Sequence, residues 1–292
     1  MDRTPLLLLT ALPTLIAVLT GCAAQPHVTV GSKNFTEQMV LGEIVAQQIE
    51  RRMGLEVERK FGLGGTLLAQ EALRTGGIDL YPEYTGTALT AVLKQPAVKD
   101  ARAAFTQVAA GYRQWGVEWL PPLGFNNSFA MVVRTQDARA QNLKTLSDAA
   151  HRPGPWHMGA GYEFMQRPDG LDGLVRTYGL RMDGAPVTMD LGLLYQALSS
   201  KKVDIAAGSA TDGMLAHEEF TILDDDLHYF PPYECALAVR TDAERRFPEL
   251  RKVLMELSGR IPEKEMRRMN ELVDVEHKPI AEVARNFIAT LK

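Results

Sequence analysis

The sequence predicts an α/β fold of two lobes with a ligand site between them. Strand and helix patterns alternate over residues 28–81, the alternation resumes over 129–240, and the segment 243–292 is nearly all helical. Alternation of this kind is typical of a parallel, doubly wound sheet. We therefore expect two sheets, with the strands near 129–134 and 235–240 as the places where the chain crosses between the lobes.

The elements of the first lobe follow one another closely. Val28 and Val30 indicate a strand, and a helix follows it with a cap at Thr36 and a stop at Gly54. The next elements are a strand at 55–58, a glycine loop at 62–66, a helix at 67–74 and a strand at 78–81. Each helix thus joins two strands.

The middle of the chain repeats this pattern, and its end is helical. Strands are expected at 129–134, 156–160, 203–207 and 235–240, and helices at 171–178 and 191–199. From Ala243 onwards, apolar residues such as Leu250 and Leu254 occupy one helix face and charged residues the opposite face.

Composition restricts the class of protein. The 292 residues are 46% hydrophobic and 23% charged, which argues against disorder and against a coiled coil. A net charge of −4 offers no basic surface for nucleic acid. Two cysteines, Cys22 and Cys235, are too few for a disulfide scaffold or a four-thiolate metal site. We expect Cys235 to be a buried free thiol.

The first residues are typical of an export signal. An uncharged apolar run at 6–19 follows Arg3; it is too short to span a bilayer but suits the core of a signal peptide. The sequence Leu-Thr-Gly-Cys that ends at Cys22 resembles the lipobox of bacterial lipoproteins. We predict a signal peptide over 1–21, a lipid anchor at Cys22 and a tether over 22–27. Plain secretion with an incidental cysteine is the alternative.

Six motifs in order resemble a single family. They are GSKNFTEQ (31–38), DLYPEYTGT (79–87), FNNSFA (125–130), LLYQAL (193–198), VDIAAGSATDG (203–213) and FPPYECALAVR (230–240). Over essentially the whole chain after residue 28, the sequence is similar to the osmoprotectant-binding proteins. These are the substrate-binding lipoproteins of ABC importers for glycine betaine, choline, carnitine and related compounds.

The resemblance implies a periplasmic-binding-protein fold of the Venus-flytrap, type II class with two hinge crossovers. Residues 28–128 and 233–292 would form the first lobe, and 129–232 the second. The protein would be a monomeric receptor and not an enzyme, without cofactor or metal. It would lie in the periplasm or on the outer face of the cytoplasmic membrane. There it would deliver a quaternary ammonium or betaine ligand to an ABC permease that works with a cytoplasmic ATPase.

A quaternary ammonium ion has no N–H to donate, so a protein must bind it through the faces of aromatic rings. The resemblance implies cage positions at Tyr81, Phe129, Ser209 and Tyr233, and Tyr84 is a further aromatic candidate. Phe129 stands where a tyrosine is common in the family. Ser209 stands where many members carry a tyrosine, which removes one wall of the cage and leaves room for a larger or more polar cation.

The carboxylate of a betaine requires N–H and hydroxyl donors. Motifs similar to the family's carboxylate-facing segments supply Gln38, Thr85 and Thr87. The glycine loop before Thr66 lies at a helix N-terminus, where free N–H groups and the helix dipole favour an anion. A polar rim is predicted from Asn34, Thr36, Asn126, Asn127, Thr211 and Asp212, the last of which is also a candidate neighbour of the cationic head.

Other interpretations stay open at this point. No H-E-x-x-H pair, G-x-S-x-G elbow or phosphate-binding loop indicates an enzyme, yet a two-lobe hydrolase or transferase is an alternative. A receptor for another small zwitterion or amino acid is a second alternative, and a surface lipoprotein without transport is a third. Tyr81, Tyr84 and Phe129 also fit as ordinary core aromatics.

Overall fold

The computed structural model describes residues 27–216 and 218–291, and within them it contains two five-stranded sheets. The strands are β1 (Val28–Gly31), β2 (Val57–Lys60), β3 (Leu80–Tyr84), β4 (Val117–Trp119), β5 (Phe129–Arg134), β6 (Met158–Ala160), β7 (Val187–Thr188), β8 (Ile205–Ser209), β9 (Phe220–Leu223) and β10 (Cys235–Arg240). The first sheet has the order β2-β1-β3-β10-β4, and the second has the order β7-β6-β8-β5-β9. The prediction of a two-sheet α/β fold is confirmed.

Helices cover both sheets. The α-helices are α1 (Thr36–Met53), α2 (Thr66–Thr75), α3 (Thr85–Thr87), α4 (Ala101–Tyr112), α5 (Thr135–Gln141), α6 (Leu146–His151), α7 (Tyr162–Gln166), α8 (Leu171–Tyr178), α9 (Leu194–Ser199), α10 (Thr241–Arg246), α11 (Leu250–Met255), α12 (Glu263–Asp274) and α13 (Ile280–Thr290). We call β1–β4, α1–α4, β10 and α10–α13 the first half of the molecule. The second half comprises β5–β9 and α5–α9.

The sheets are mixed, so the prediction of parallel sheets was wrong in part. Strand β1 is parallel to β2 and β3, whereas β10 is antiparallel to β3 and β4. In the second sheet β5 is antiparallel to β8 and β9. A parallel pair requires a crossover connection, usually a helix. Strand β10 instead enters the first sheet directly from the second half, and it pairs in the opposite direction.

The chain passes between the sheets twice, once between β4 and β5 and once between β9 and β10. The strands at 129–134 and 235–240 each lie within one sheet, and the chain crosses just before each of them. The two crossing segments run side by side through an antiparallel bridge between Asn126 and Glu234. The Asn127 N–H also donates to the Tyr233 carbonyl at 3.0 Å.

The two faces of the first sheet carry different cores. Leu41 and Ile44 of α1 pack on one face together with Tyr84. Tyr81 lies on the other face with Tyr112 of α4. Successive side chains of a strand point to opposite faces, so two tyrosines three positions apart are separated by the sheet.

The ends of α1 show where local sequence is informative and where it is not. Gly54 follows the helix with a positive φ of 64°, as the glycine stop predicts. Thr36 does not cap the helix: Phe35 occupies the N-cap position, and the Thr36 hydroxyl donates to Asp274 Oδ1 at 2.5 Å. The cap prediction was wrong because a partner distant in sequence takes that hydroxyl.

Within the described residues, no helix is both long enough and apolar enough to cross a membrane. The predicted signal peptide over 1–21 and the predicted lipid anchor at Cys22 lie outside the residues that the structure describes. Cys235 is a fully buried free thiol, which confirms its prediction.

Candidate ligand site between the two sheets

Most of the side chains proposed for ligand binding lie where the chain crosses between the sheets. The first half contributes the beginning of α1, the end of β3 and the helix α3. The second half contributes the end of β8 and the segment around α7. The crossing segments add Asn127 and Tyr233, so the region is built from every part of the chain that connects the halves.

Glu37 is the centre of a hydrogen-bond network that joins the two halves. Its Oε1 accepts from the Tyr84 hydroxyl at 2.6 Å and from Asn127 Nδ2 at 2.7 Å. Its Oε2 accepts from Asn270 Nδ2 at 3.1 Å and from the Thr211 hydroxyl. Burial raises the pKa of Glu37 above its usual value, because these four uncharged donors compensate only in part for the lost hydration.

A buried ion pair between Arg167 and Asp169 forms a second link between the halves. The guanidinium binds the carboxylate through both oxygens, with Nε–Oδ1 at 2.9 Å and Nη2–Oδ2 at 2.6 Å. In the first half, Thr87 Oγ1 accepts from Arg167 at 2.8 Å, and the Thr90 hydroxyl donates to Asp169 at 3.1 Å. The Tyr233 hydroxyl donates to Asp169 Oδ2 at 2.6 Å. Burial favours a higher pKa for Asp169, but the hydrogen bonds and charge of Arg167 hold that pKa below its usual value.

Three rings of the site each face a cation of the protein itself. The Arg167 guanidinium carbon lies 5.3 Å from the centroid of Phe129 and 5.4 Å from that of Tyr233. These two rings meet edge to face at 5.7 Å. Lys33 Nζ lies 5.1 Å from the centroid of Tyr84. All three distances are within the range of about 6 Å in which a ring attracts a cation.

A buried salt bridge fixes Lys33. Its Nζ lies 2.6 Å from Glu83 Oε1, and the two side chains are 3% and 0% exposed. Glu83 Oε2 accepts from the Tyr81 hydroxyl at 2.9 Å, but the Tyr81 ring belongs to the core beneath α2 and α4 and is not brought together with Tyr84. Gln38 Oε1 accepts from the Lys33 N–H at 3.3 Å. The buried Nε2 of Gln38 has no hydrogen-bond partner among the described residues.

The N-terminus of α2 already holds an anion. The Thr66 N–H donates to Glu163 Oε1 from the second half at 2.8 Å. A Cβ at Gly65 would lie 2.6 Å from the same oxygen, so glycine permits this approach. Although burial favours a higher pKa, the charge of Lys33 and the Thr66 N–H hold the pKa of Glu163 below its usual value. The position predicted for a ligand carboxylate is therefore suited to a carboxylate.

Asp212 borders Ser209, where the resemblance implies a lost ring wall. Its Oδ2 accepts from the Tyr195 hydroxyl at 2.5 Å and from the Ser209 N–H at 2.9 Å. The Ser209 hydroxyl donates to Asn127 Oδ1. Burial, with a contribution from the charge of Glu37, raises the pKa of Asp212 to about 6. A carboxylate thus lies beside Ser209.

The structure brings most, but not all, of the proposed residues together. Those that contact one another or the charged groups of this region are Gln38, Thr66, Tyr84, Thr87, Asn127, Phe129, Ser209, Thr211, Asp212 and Tyr233. Thr85 instead binds the backbone of the second crossing segment. Its hydroxyl donates to the Pro232 carbonyl and accepts from the Glu234 N–H, both at 3.1 Å.

Sequence reasoning identified Asp212 but missed the other charged members of the site. They are Lys33, Glu37, Glu83, Glu163, Arg167 and Asp169. Glu37 had a signal, since it lies between Thr36 and Gln38 in the first of the six motifs. Arg167 and Asp169 lie outside all six motifs.

Two α/β halves with rings and paired charges between them agree with the class of solute-binding proteins of ABC importers. The chain belongs to the OpuAC family, described as the substrate binding domain of the ABC-type glycine betaine transport system, whose model matches residues 26–290. Members of this family act outside the cytoplasm in transport and not as enzymes.

Individual relatives agree with this assignment. The chain is 34% identical to a glycine-betaine-binding protein of Pseudomonas aeruginosa, with 92% of this chain and 89% of that protein covered. It is 31% identical to the Helicobacter pylori protein named ergothioneine transport permease/ergothioneine binding protein. That alignment covers 90% of this chain but 47% of the relative, so the chain spans about half of the relative's length. A solved structure titled glycine betaine/carnitine/choline ABC transporter has a TM-score of 0.77 and 29% identity, with 90% and 97% coverage.

Proposed function

We propose that this chain captures a zwitterionic quaternary ammonium solute, such as glycine betaine or carnitine, and delivers it to a membrane permease. The observation that carries the proposal is the set of rings at Tyr84, Phe129 and Tyr233, each of which has a cation 5.1–5.4 Å from its centroid. Rings that lie this close to a cation are suited to a permanently charged ammonium ion, which has no N–H group to donate to an ordinary acceptor.

The charge of the region supports a ligand with a positive end. The carboxylates that line it are Glu37, Glu83, Glu163, Asp169 and Asp212. Lys33 is paired with Glu83, and Arg167 with Asp169. An excess of acid in a cleft raises the local concentration of cations and favours their entry.

The donors for the negative end lie in the first half. Gln38 Nε2 is buried without a partner among the described residues, and a carboxylate oxygen would satisfy it. In the structure, the Thr87 hydroxyl accepts a hydrogen bond from Arg167 of the second half. The Thr66 N–H donates to Glu163 of the second half. These contacts form only when the halves are close. We therefore propose that the molecule divides into lobes at 128/129 and 232/233 and that a ligand is enclosed as the lobes approach.

Attachment and partners complete the proposal. We propose that the mature protein is a monomer held at the membrane surface by lipid on Cys22. The energy for transport would come from an ATPase on the cytoplasmic side, so the chain itself would need no nucleotide, metal or cofactor.

The environment of Ser209 favours a second candidate ligand. Ser209 presents a hydroxyl where a ring would otherwise stand, and the Asp212 carboxylate lies beside it. These two acceptors suit a zwitterion that also carries an N–H group. The H. pylori relative is named for ergothioneine, so we include this betaine among the ligands to be tested.

Ligand-dependent melting of the purified protein without its predicted signal peptide tests the proposal. A ligand that binds the folded state alone raises the melting temperature. We expect a rise with glycine betaine, carnitine or ergothioneine at millimolar concentration, and none with glycine, proline or glucose. A rise with the amino acids and none with any trimethylammonium compound would overturn the proposed ligand class.

A further inference from the structure

A cavity in the first half of the molecule is lined by three arginines and one carboxylate. It has a volume of about 430 Å³ and lies among the C-terminal ends of α1 and α13 and the segment that follows α11. The residues that line it are Gln48, Arg51, Arg52, Glu256, Arg260 and Leu291. None of these side chains belongs to the candidate ligand site, so the cavity is a separate feature of the molecule.

Glu256 neutralises one of the three arginines. Arg52 Nη2 donates to Glu256 Oε1 at 2.6 Å, and Gln48 Nε2 donates to Glu256 Oε2 at 2.9 Å. The hydrogen bond from Arg52 holds the pKa of Glu256 below its usual value, so this carboxylate is charged at neutral pH. Among the described residues, Glu256 forms a salt bridge with Arg52 alone.

The other two arginines keep their charge unpaired. Arg51 donates to two neutral acceptors, the Ile288 carbonyl at 3.0 Å and Gln48 Oε1 at 2.9 Å. In the part of the chain that the structure describes, neither Arg51 nor Arg260 forms a salt bridge, and the Arg260 guanidinium has no hydrogen-bond partner. A guanidinium carries five N–H donors, so most donors of these two side chains are free to bind an oxyanion.

The cavity lies at the end of α1 that is remote from the candidate ligand site. Glu37 is in the first turn of this 18-residue helix and Arg51 is in its last turn, a separation of about 20 Å. Because α1 connects the parallel strands β1 and β2, its C-terminal end lies at the edge of the sheet where both strands begin. The chain that follows the proposed lipid anchor at Cys22 enters β1 at this edge, which places phospholipid headgroups among the anions near the cavity.

We propose that this cavity binds a phosphate group, supplied either by free phosphate or by the headgroup of an anionic phospholipid. Arg51 and Arg260 bind its oxygens, since the paired N–H donors of a guanidinium match the geometry of a phosphate. Arg52 remains with Glu256 and forms one wall. The inference is independent of the proposed function, because it uses no residue of the candidate ligand site.

Titration calorimetry with inorganic phosphate tests the site, in the unlipidated protein that begins at Cys22. Arg51→Gln/Arg260→Gln should weaken phosphate binding at least tenfold relative to the wild type. The matched control is Arg139→Gln/Arg176→Gln, which removes the same charge from two exposed arginines of the second half. Its affinity for phosphate should stay within twofold of the wild type, because the net charge of the protein alone does not form the site.

A variant that strengthens binding keeps the test decisive if the double arginine variant folds poorly. Glu256→Gln removes the carboxylate of the cavity and releases Arg52 from its salt bridge. It should bind phosphate at least threefold more tightly than the wild type. A loss of structure would weaken binding, so it cannot produce this result.

Sedimentation with phosphatidylglycerol vesicles distinguishes the two sources of phosphate. Vesicle binding that the control variant retains and Arg51→Gln/Arg260→Gln loses would assign the site to a lipid headgroup. Binding of inorganic phosphate without binding to vesicles would assign it to free phosphate. Equal behaviour of the two double variants with both probes, or no binding of either probe by the wild type, would overturn the proposal.

Discussion

The carboxylate of Glu37 accepts a hydrogen bond from the hydroxyl of Thr211, 174 positions further along the chain and in the other half of the molecule. Glu37 belongs to the first turn of α1, and Thr211 follows β8. The same carboxylate binds Tyr84 and Asn127, so one side chain joins the first half, a crossing segment and the second half. Such a group is sensitive to any change in the separation of the halves.

Glu37→Gln should destabilise the protein. Glu37 accepts all four of its hydrogen bonds, two at each carboxylate oxygen. A glutamine NH₂ in place of one oxygen would put a donor against the two donors that this oxygen now accepts. A buried mismatch of this kind costs about 1–3 kcal/mol. Urea unfolding at pH 7 measures the loss. Glu249→Gln, on the surface beside Lys252, is the control and should stay within about 0.5 kcal/mol of the wild type. Equal stability of the two variants would show that Glu37 does not hold the halves together.

Asp212 should give the stability an identifiable pH dependence. Its pKa is raised to about 6, mainly by burial, against about 3.9 in an unfolded chain. The folded state therefore binds the proton more tightly. The stability that this adds is fully present below about pH 4 and is lost as pH rises to about 6. The two pKa units correspond to about 2.7 kcal/mol, and residual contact of the side chain with water reduces this to about 2 kcal/mol.

The comparison with Asp212→Asn isolates this contribution. Between pH 4 and pH 7, the free energy of unfolding of the wild type should fall by about 2 kcal/mol relative to that of the variant. Asp172→Asn, an exposed change on α8, should follow the wild type. Parallel curves for Asp212→Asn and the wild type would mean that Asp212 titrates as an ordinary surface carboxyl group.

Some elements of the fold were predictable to the residue. The bounds expected for β5, α8 and β10 are those observed, because β5 and β10 are apolar runs that end at an arginine and α8 ends before Gly179. The direction of β10 was not predictable. It depends on which strand receives the chain after it leaves the second half, and no local pattern carries that information.

The candidate site likewise contains residues that the sequence predicts and residues that it does not. Tyr84, Phe129 and Tyr233 follow from the resemblance and from the chemistry of a quaternary ammonium ion. The two cations that face these rings could not be predicted. Lys33 pairs with Glu83, 50 positions away, and Arg167 binds Thr87, 80 positions away. In the sequence, each looks like an ordinary surface charge. Their partners become visible only when the strands are placed in register.

The ring of Tyr233 should contribute more to ligand affinity than its hydroxyl does. Tyr233→Ala removes the ring face and should weaken binding of glycine betaine at least tenfold, about 1.4 kcal/mol. Tyr233→Phe keeps the ring and loses the hydrogen bond to Asp169, so its effect should remain within threefold. Titration calorimetry measures both. If the two variants lost affinity equally, the hydroxyl would be the important group and the ring would be ordinary packing.

Ser209→Tyr should restore a ring wall. Ser209 lies directly opposite Phe129 in the register of β5 and β8, so a tyrosine there would stand beside the existing rings. One more ring within about 6 Å of the ammonium contributes about 0.5–2 kcal/mol, which predicts a gain of about 2–30-fold in glycine betaine affinity by titration calorimetry. Ser209→Leu is the matched control, because it fills similar space without a π face and should give no gain. An equal gain from leucine would indicate that buried apolar area, and not the ring, strengthens binding at this wall.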